Sequence, residues 1–218
     1  MNDKLKILNL YACLGGNRYK WDEVAEIDVT AVELDPELAR MYQERFPNDT
    51  VIVADAHQYL LDHYKEFDFI WSSPPCPSHS SIRITQKTRE SFTPVFPDMK
   101  LYEEIIFLDN YFEGKYCVEN VTPYYEPLIP AKKRGRHLYW TNFNLPSSLN
   151  ERDLGGSLCT MKGEHKKLEI FHDIKCNPNI GGYRDVLRNL VDYEAGKTIF
   201  QTALNIQKQN NDTQTTIF

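Results

Sequence analysis

Short apolar runs alternate with helix-periodic stretches from the start of this chain, and that alternation limits the folds open to it. Lys4–Tyr11 (KLKILNLY) is rich in Ile and Leu and runs into Leu14-Gly15-Gly16, the pattern of a buried strand feeding a tight turn. Asp28–Leu34 is a second β-branched run. Pro36–Phe46 places Leu38, Met41, Tyr42 and Arg45 at helical spacing before Pro47 stops it. Thr50–Val53, His57–Tyr64 and Phe67–Trp71 then read as strand, helix and strand, and Ser72-Ser73-Pro74-Pro75-Cys76-Pro77 ends regular structure. Residues 78–95 read as a polar loop, Asp98–Phe112 as a helix, and Lys115–Glu119 and His137–Phe143 as strands. Strands and helices in this order predict βαβ units and an α/β fold with a doubly wound, mostly parallel sheet. Ligands of such sheets gather at the carboxyl ends of the strands.

Composition sets the remaining bounds. With 218 residues there is room for one ordinary domain and a sizeable core, and 41% hydrophobic with 26% charged residues is a globular balance. No stretch reaches the roughly 20 apolar residues of a membrane helix, and Met1–Leu5 lacks the apolar start of a signal peptide, so a cytoplasmic protein is expected. Cys13, Cys76, Cys117, Cys159 and Cys176 are odd in number and include no Cys-x-x-Cys pair, which argues against a disulfide framework or a metal cluster. Charge is uneven. Residues 1–127 carry 12 Lys+Arg against 22 Asp+Glu, whereas residues 128–218 carry 13 against 9. The run Lys132-Lys133-Arg134-Gly135-Arg136, followed by Lys162, His165, Lys166 and Lys167, is either a phosphate-facing surface or an ordinary solvated loop.

Each chemically unusual segment falls just after an expected strand. Cys76, fixed by prolines on both sides, projects into a strand-end cleft as a reactive thiol or sits in a rigid loop as an inert one. Glu119-Asn120-Val121 closes the next strand, and neighbouring strands of a doubly wound sheet bring Glu119 towards Cys76; a cap or ion pair is the plainer use of that acid. Glu33-Leu34-Asp35 ends the second strand, where such folds hold ribose hydroxyls with an acid. Asp55 follows the third strand and either binds an adenine amino group or caps the helix that begins near Ala56.

Taken in order, the glycine turn with its downstream Glu33-x-Asp35, then Ser73-Pro74-Pro75-Cys76, then Glu119-Asn120-Val121, resemble the DNA (cytosine-5) methyltransferases. The resemblance covers residues 5–143 and returns more faintly at 184–204. It implies a Rossmann-like methyltransferase fold that uses S-adenosylmethionine and releases S-adenosylhomocysteine. By the same implication Tyr11, Cys13, Leu14, Gly15 and Gly16 line the methionine part of the cofactor. Glu33 and Leu34 then meet its ribose, Asp55 and Ala56 its adenine, and Pro74, Asn189 and Val191 complete the pocket. Cys76 is implied as nucleophile and Glu119 as the group that grips the cytosine edge. Arg134, with Arg136 as second choice, supports the target base, and Pro74, Pro75, Ser78, Ser80, Asn120, Lys132 and Lys133 face the nucleotide and its phosphates. C5 of cytosine is a poor nucleophile until a thiolate adds at C6, and that addition is eased by a carboxyl group of raised pKa at N3. The base must be flipped out of the duplex to be reached.

The resemblance divides the chain into a catalytic part at 1–143, a short recognition insert at 144–182, a C-terminal helix at 183–206 packing back on the first part, and a flexible tail at 207–218. Departures are Cys13 in place of a glycine, Pro77 after the nucleophile, Arg188 in the late motif, and an insert of about 40 residues where relatives carry a much longer region. So small an insert predicts a short or relaxed recognition site on double-stranded DNA and an orphan or phage-type enzyme, working in a bacterial or phage-infected cell. Catalysis on RNA, or a non-catalytic module needing a partner, are the other readings. The final Gln214-Thr215-Thr216-Ile217-Phe218 resembles a sliding-clamp peptide through Gln214, Ile217 and Phe218.

Overall fold

The structure, a computed structural model, describes residues 4–154, 164–175 and 182–206. Its strands are β1 (Leu5–Leu10), β2 (Ile27–Glu33), β3 (Thr50–Val53), β4 (Phe69–Ser72), β5 (Lys115–Val121), β6 (Lys132–Arg134) and β7 (His137–Thr141). Its helices are α1 (Pro36–Arg45), α2 (Ala56–His63), α3 (Ile82–Thr85), α4 (Lys100–Tyr111), α5 (Glu164–His172), α6 (Tyr183–Asn189) and α7 (Tyr193–Ala203). The seven strands form one sheet in the order β3-β2-β1-β4-β5-β7-β6. All pairings from β3 to β5 are parallel, and β7 alone is reversed, antiparallel to both of its neighbours, β5 and β6. Strand order reverses at β1 and β4, so the carboxyl ends of these strands flank a crevice.

The expected α/β fold is therefore the one observed, and the amphipathic patterns explain its layers. Leu101, Ile105 and Leu108 on α4 and Leu60 on α2 cover one face of the sheet with Leu8, Leu10, Ile70, Val118 and Trp140. Ala195, Ile199 and Phe200 on α7 cover the other face with Ile7, Phe69, Trp71 and Tyr139. Trp21, in a short 3₁₀ turn, is fully buried against Phe200 and Trp71.

Four local expectations are corrected. Lys132–Arg134 is not a loop but edge strand β6, joined to β7 by the two-residue turn Gly135-Arg136. The stretch 78–95 contains α3, and 144–182 contains α5, whose Leu168 packs in a cluster with Leu14, Leu38 and Met41. The single helix expected over Val186–Leu204 is two helices. Its periodicity runs unbroken in sequence, but Asp192 accepts from the N–H groups of Glu194 and Ala195 and starts α7 as a fresh helix after extended Leu190. Cys159, Cys176, Lys162 and the peptide Gln214–Phe218 lie outside the described residues. Among the described residues no helix is long and apolar enough to cross a membrane, and no group of His, Cys, Asp and Glu is arranged to hold a metal ion.

Candidate active site

At the end of β1 the chain turns sharply. Tyr11 and Cys13 both take positive φ, 55° and 48°, and Gly15 follows at 65°. A Cβ on Gly15 would lie 2.4 Å from the Phe46 ring, and one on Gly16 would lie 2.6 Å from the carbonyl oxygen of Val191. Glycine is therefore required at both positions for the turn to seat against α1 and against the segment between α6 and α7. The late motif thus does reach the turn: Val191 is buried on Gly16, while Asn189 is exposed. Cys13 holds the left-handed conformation without being glycine, at a cost of about 1 kcal/mol.

Glu33, the last residue of β2, closes this turn. One carboxylate oxygen accepts the Cys13 N–H at 2.8 Å and the other accepts the Asp35 N–H at 3.0 Å. Leu34 beside it is exposed. Asp55 caps α2 by accepting the Gln58 N–H at 3.1 Å, and its second oxygen lies 3.5 Å from Lys100 Nζ. These contacts hold the Asp55 carboxyl below its usual range. Ala56 behind it is buried. The Tyr11 hydroxyl donates to Glu104 Oε1 at 2.5 Å. Glu104 was not singled out by the sequence reading, yet it is buried on α4, accepts Ser72 Oγ at 2.6 Å and meets His57 Nδ1 at 3.0 Å. Its signal was a carboxylate on the apolar stripe of α4, three residues from Leu101 and four from Leu108.

The ends of β4 and β5 build the second half of the site. These strands are parallel neighbours with Ser72 opposite Val118, so Pro74–Cys76 and Glu119–Val121 emerge side by side. Asn120 fastens them: its buried amide Nδ2 donates to the Pro74 carbonyl at 2.9 Å, and its Oδ1 accepts the Val121 N–H at 2.9 Å. Both ends of Asn120 are committed to the backbone, which corrects its expected contact with a nucleotide. Cys76 is half-buried, and Pro74 is buried while Pro75 is exposed. Glu119 is 6% exposed, and burial pushes its carboxyl up to about 7, against a hydrogen bond from Ser73 and the charge of Arg136. The Cys76 thiol is raised first by burial and then by Glu119, and Arg136 pulls it down. The Cys76 thiol senses Glu119, and both groups sense the Arg136 guanidinium, which puts the three in one neighbourhood at the ends of β4 and β5.

The basic run divides. Arg134 donates to the carbonyls of Pro146 at 2.6 Å, Lys133 at 2.8 Å and Leu145 at 3.3 Å, which holds its guanidinium on the segment after β7. Lys132 Nζ donates to the Thr141 carbonyl and hydroxyl, both at 2.8 Å, and to the Phe143 carbonyl at 2.7 Å. An ammonium with three donors used in this way is a lock on the β-hairpin, which corrects its expected role on phosphate. Lys133 is exposed, and Arg136 donates to the Arg188 carbonyl at 3.0 Å. Ser78 Oγ accepts the Asp98 N–H and Ser80 Oγ the Ile82 N–H, so both serines organise the segment after Cys76.

No curated protein sequence matches this chain. Among solved structures, DNMT2 of Spodoptera frugiperda is 24% identical, covering 54% of this chain and 36% of its own, with a TM-score of 0.37. A SAM-dependent methyltransferase of Agrobacterium tumefaciens is 15% identical over 56% of this chain and 40% of its own, with a TM-score of 0.39. The Entamoeba histolytica methyltransferase EhMeth is 14% identical over 55% and 39%, with a TM-score of 0.35. This chain thus spans well under half the length of each of these three. Residues 5–105, from β1 into α4, match the family model described as C-5 cytosine-specific DNA methylase.

Proposed function

We propose that the protein transfers a methyl group from S-adenosylmethionine to C5 of a cytosine flipped out of double-stranded DNA. The observation that carries this reading is the placement of Cys76 and the buried Glu119, whose carboxyl is pushed up by burial, after neighbouring parallel strands whose ends are fastened together by Asn120. The cofactor's donor set is matched by the other half of the crevice. Glu33 offers carboxylate lone pairs beyond its two backbone contacts for a ribose diol, and exposed Asp55 offers an acceptor for an amino group. In this reading Tyr11, Cys13, Leu14, Gly15 and Gly16 meet the methionine part of the cofactor, and Leu34, Ala56, Pro74, Asn189 and Val191 complete its pocket. When bound, the cofactor supplies an electrophilic methyl group.

Cys76 Sγ gives its proton to solvent and adds as the thiolate to C6 of the ring, breaking the C5–C6 double bond so that the electron pair becomes available at C5. Glu119, whose carboxyl burial pushes up to about 7, donates its proton towards N3 and draws off the charge that the addition creates. Protonation of Glu119 also removes the negative charge that holds the Cys76 thiol up, so acid and nucleophile favour each other's active form. Arg136 takes the cationic role at the target, because Arg134 is held by three carbonyls. After methyl transfer solvent takes the C5 proton, the C5–C6 double bond re-forms as Sγ departs as the thiolate, and N3 returns its proton to Glu119. In this reading Pro75, Ser78, Ser80 and Lys133 face the nucleotide and its phosphates. A short recognition site follows from the small insert. The test is nucleoside mass spectrometry after incubating the protein and S-adenosylmethionine with duplex DNA or with RNA. We expect 5-methylcytosine in DNA with wild type and none with Cys76→Ser; product in RNA alone, or product independent of Cys76, contradicts the proposal.

A further inference from the structure

His137 opens β7 and is almost fully buried, yet no packing argument explains it. Its ring lies in a sheet position where Val, Ile or Leu would be cheaper, and its Nδ1 has no hydrogen-bond partner in the buried interior. A buried nitrogen left unpaired costs about 1–3 kcal/mol. Its other nitrogen points at the site. Glu119 pairs with Tyr139 and Val121 with His137 across the antiparallel β5–β7 ladder, so Glu119 and His137 are diagonal neighbours on one face. Nε2 of His137 lies 3.7 Å from Glu119 Oε1, with both side chains buried. That is just beyond a hydrogen bond, and a small rotation of either side chain brings Nε2–H within range of Oε1 in the free protein.

We propose that His137 is a positioning residue for Glu119: its Nε2–H closes onto Oε1 and leaves the second carboxyl oxygen to carry the proton that faces the pyrimidine. The inference rests on the reading of Glu119 as the group that holds the base. The imidazole is suited to this because it stays neutral: burial first, and Arg136 second, lower its pKa to about 3. A neutral ring with Nε2 as donor keeps Nδ1 as an unprotonated acceptor, and it neither ion-pairs with Glu119 nor competes with Arg136. The other groups facing Glu119 are Ser73 and Cys76 after β4, Cys117 on its own strand, Arg136 and Tyr139, and Glu151 from the segment after β7. Of these, Ser73 is a second hydrogen-bond donor to the carboxyl and Arg136 a cation, so each is left unchanged in the test.

A donor to a carboxylate favours its ionised form, so removing the donor raises the carboxyl's pKa. The full chain is labelled with ¹³C at the glutamate carboxyl, and the Glu119 signal is assigned by its loss in Glu119→Gln. Its titration is then compared in wild type, His137→Leu, His137→Gln and His137→Asn. We expect His137→Leu to raise the proton affinity of Glu119 about tenfold, the effect of losing roughly 1.4 kcal/mol of hydrogen bonding to the charged form. His137→Gln, whose amide N–H extends to the Nε2 position, restores the wild-type titration, and His137→Asn, too short to reach, does not. An unchanged midpoint in His137→Leu overturns the inference, as does a shift that glutamine fails to reverse. If the leucine variant does not fold, the contrast between glutamine and asparagine decides, and equal midpoints in those two overturn it. Methyl transfer to duplex DNA is measured in parallel with wild type. Its absence there, with the titration contrast intact, removes the enzymatic reading and leaves the His137–Glu119 contact standing.

Discussion

Replacing Asn120 with alanine tests the fastening between the two strand ends on which the site depends. The substitution leaves the buried Pro74 carbonyl without its donor at 2.9 Å and the half-buried Val121 N–H without its acceptor at 2.9 Å. An unpaired buried polar group costs about 1–3 kcal/mol, and the Val121 N–H, being half-buried, sits at the low end of that range. Together these give a loss of about 3 kcal/mol. In a domain of this size each kcal/mol is worth roughly 2–4 °C, so the melting midpoint falls by about 6–12 °C in a circular-dichroism melt. Asn120→Asp is expected to fall at least as far, since it sets a carboxylate oxygen against the Pro74 carbonyl. With the Pro74–Cys76 segment loosened, methyl transfer falls at least tenfold while binding of S-adenosylhomocysteine is retained, because Glu33 and the glycine turn are untouched. A melting shift below about 2 °C, the size of an ordinary surface substitution, would refute the fastening.

Further outcomes follow from the same geometry. Glu119 has a folded pKa of about 7, raised above its ordinary 4.5, so its contribution is fully present below pH 4.5 and is lost as pH rises through 7. Glu119→Gln stays neutral, and its stability relative to wild type is expected to grow by about 3 kcal/mol between pH 4.5 and 8; parallel curves across that range would contradict the burial argument. Cys13→Gly relieves a left-handed cysteine at φ 48° and, after the entropy that glycine adds to the unfolded chain, gains about 0.5 kcal/mol in a denaturant titration. A loss of stability there would show that the cysteine side chain matters more than its backbone. Lys132→Met is expected to destabilise the hairpin without changing the salt dependence of DNA binding, whereas Lys133→Ala lowers the slope of log K against log salt by about 1; the reverse pattern would put Lys132 on phosphate after all.

The sheet was legible because parallel strands buried on both faces read as continuous apolar runs, as in ILNL of β1 and FIW of β4, each stopped by glycine or proline. The positions of Glu33, Asp55, Cys76 and Glu119 followed from those stops. What the sequence hid were side-chain commitments made across the chain. Lys132 and Arg134 look like part of a basic patch, but only the folded hairpin shows that backbone carbonyls occupy both. Glu104 and His137 are single polar residues within apolar patterns, and their meaning depends on what Tyr11, Ser72 and Glu119 bring opposite them. The break between α6 and α7 is set by one cap at Asp192, a local bond that overrides an uninterrupted helical periodicity.

The central claim is a transient bond between one sulfur and a pyrimidine ring. A duplex carrying 5-fluorocytosine, incubated with the protein and S-adenosylmethionine, blocks loss of the C5 substituent and holds that bond in place. After digestion, mass spectrometry should find the modified nucleotide on the peptide that contains Cys76, with no adduct in Cys76→Ser. An adduct on Cys13 or Cys117, or one that survives the substitution, would contradict the account.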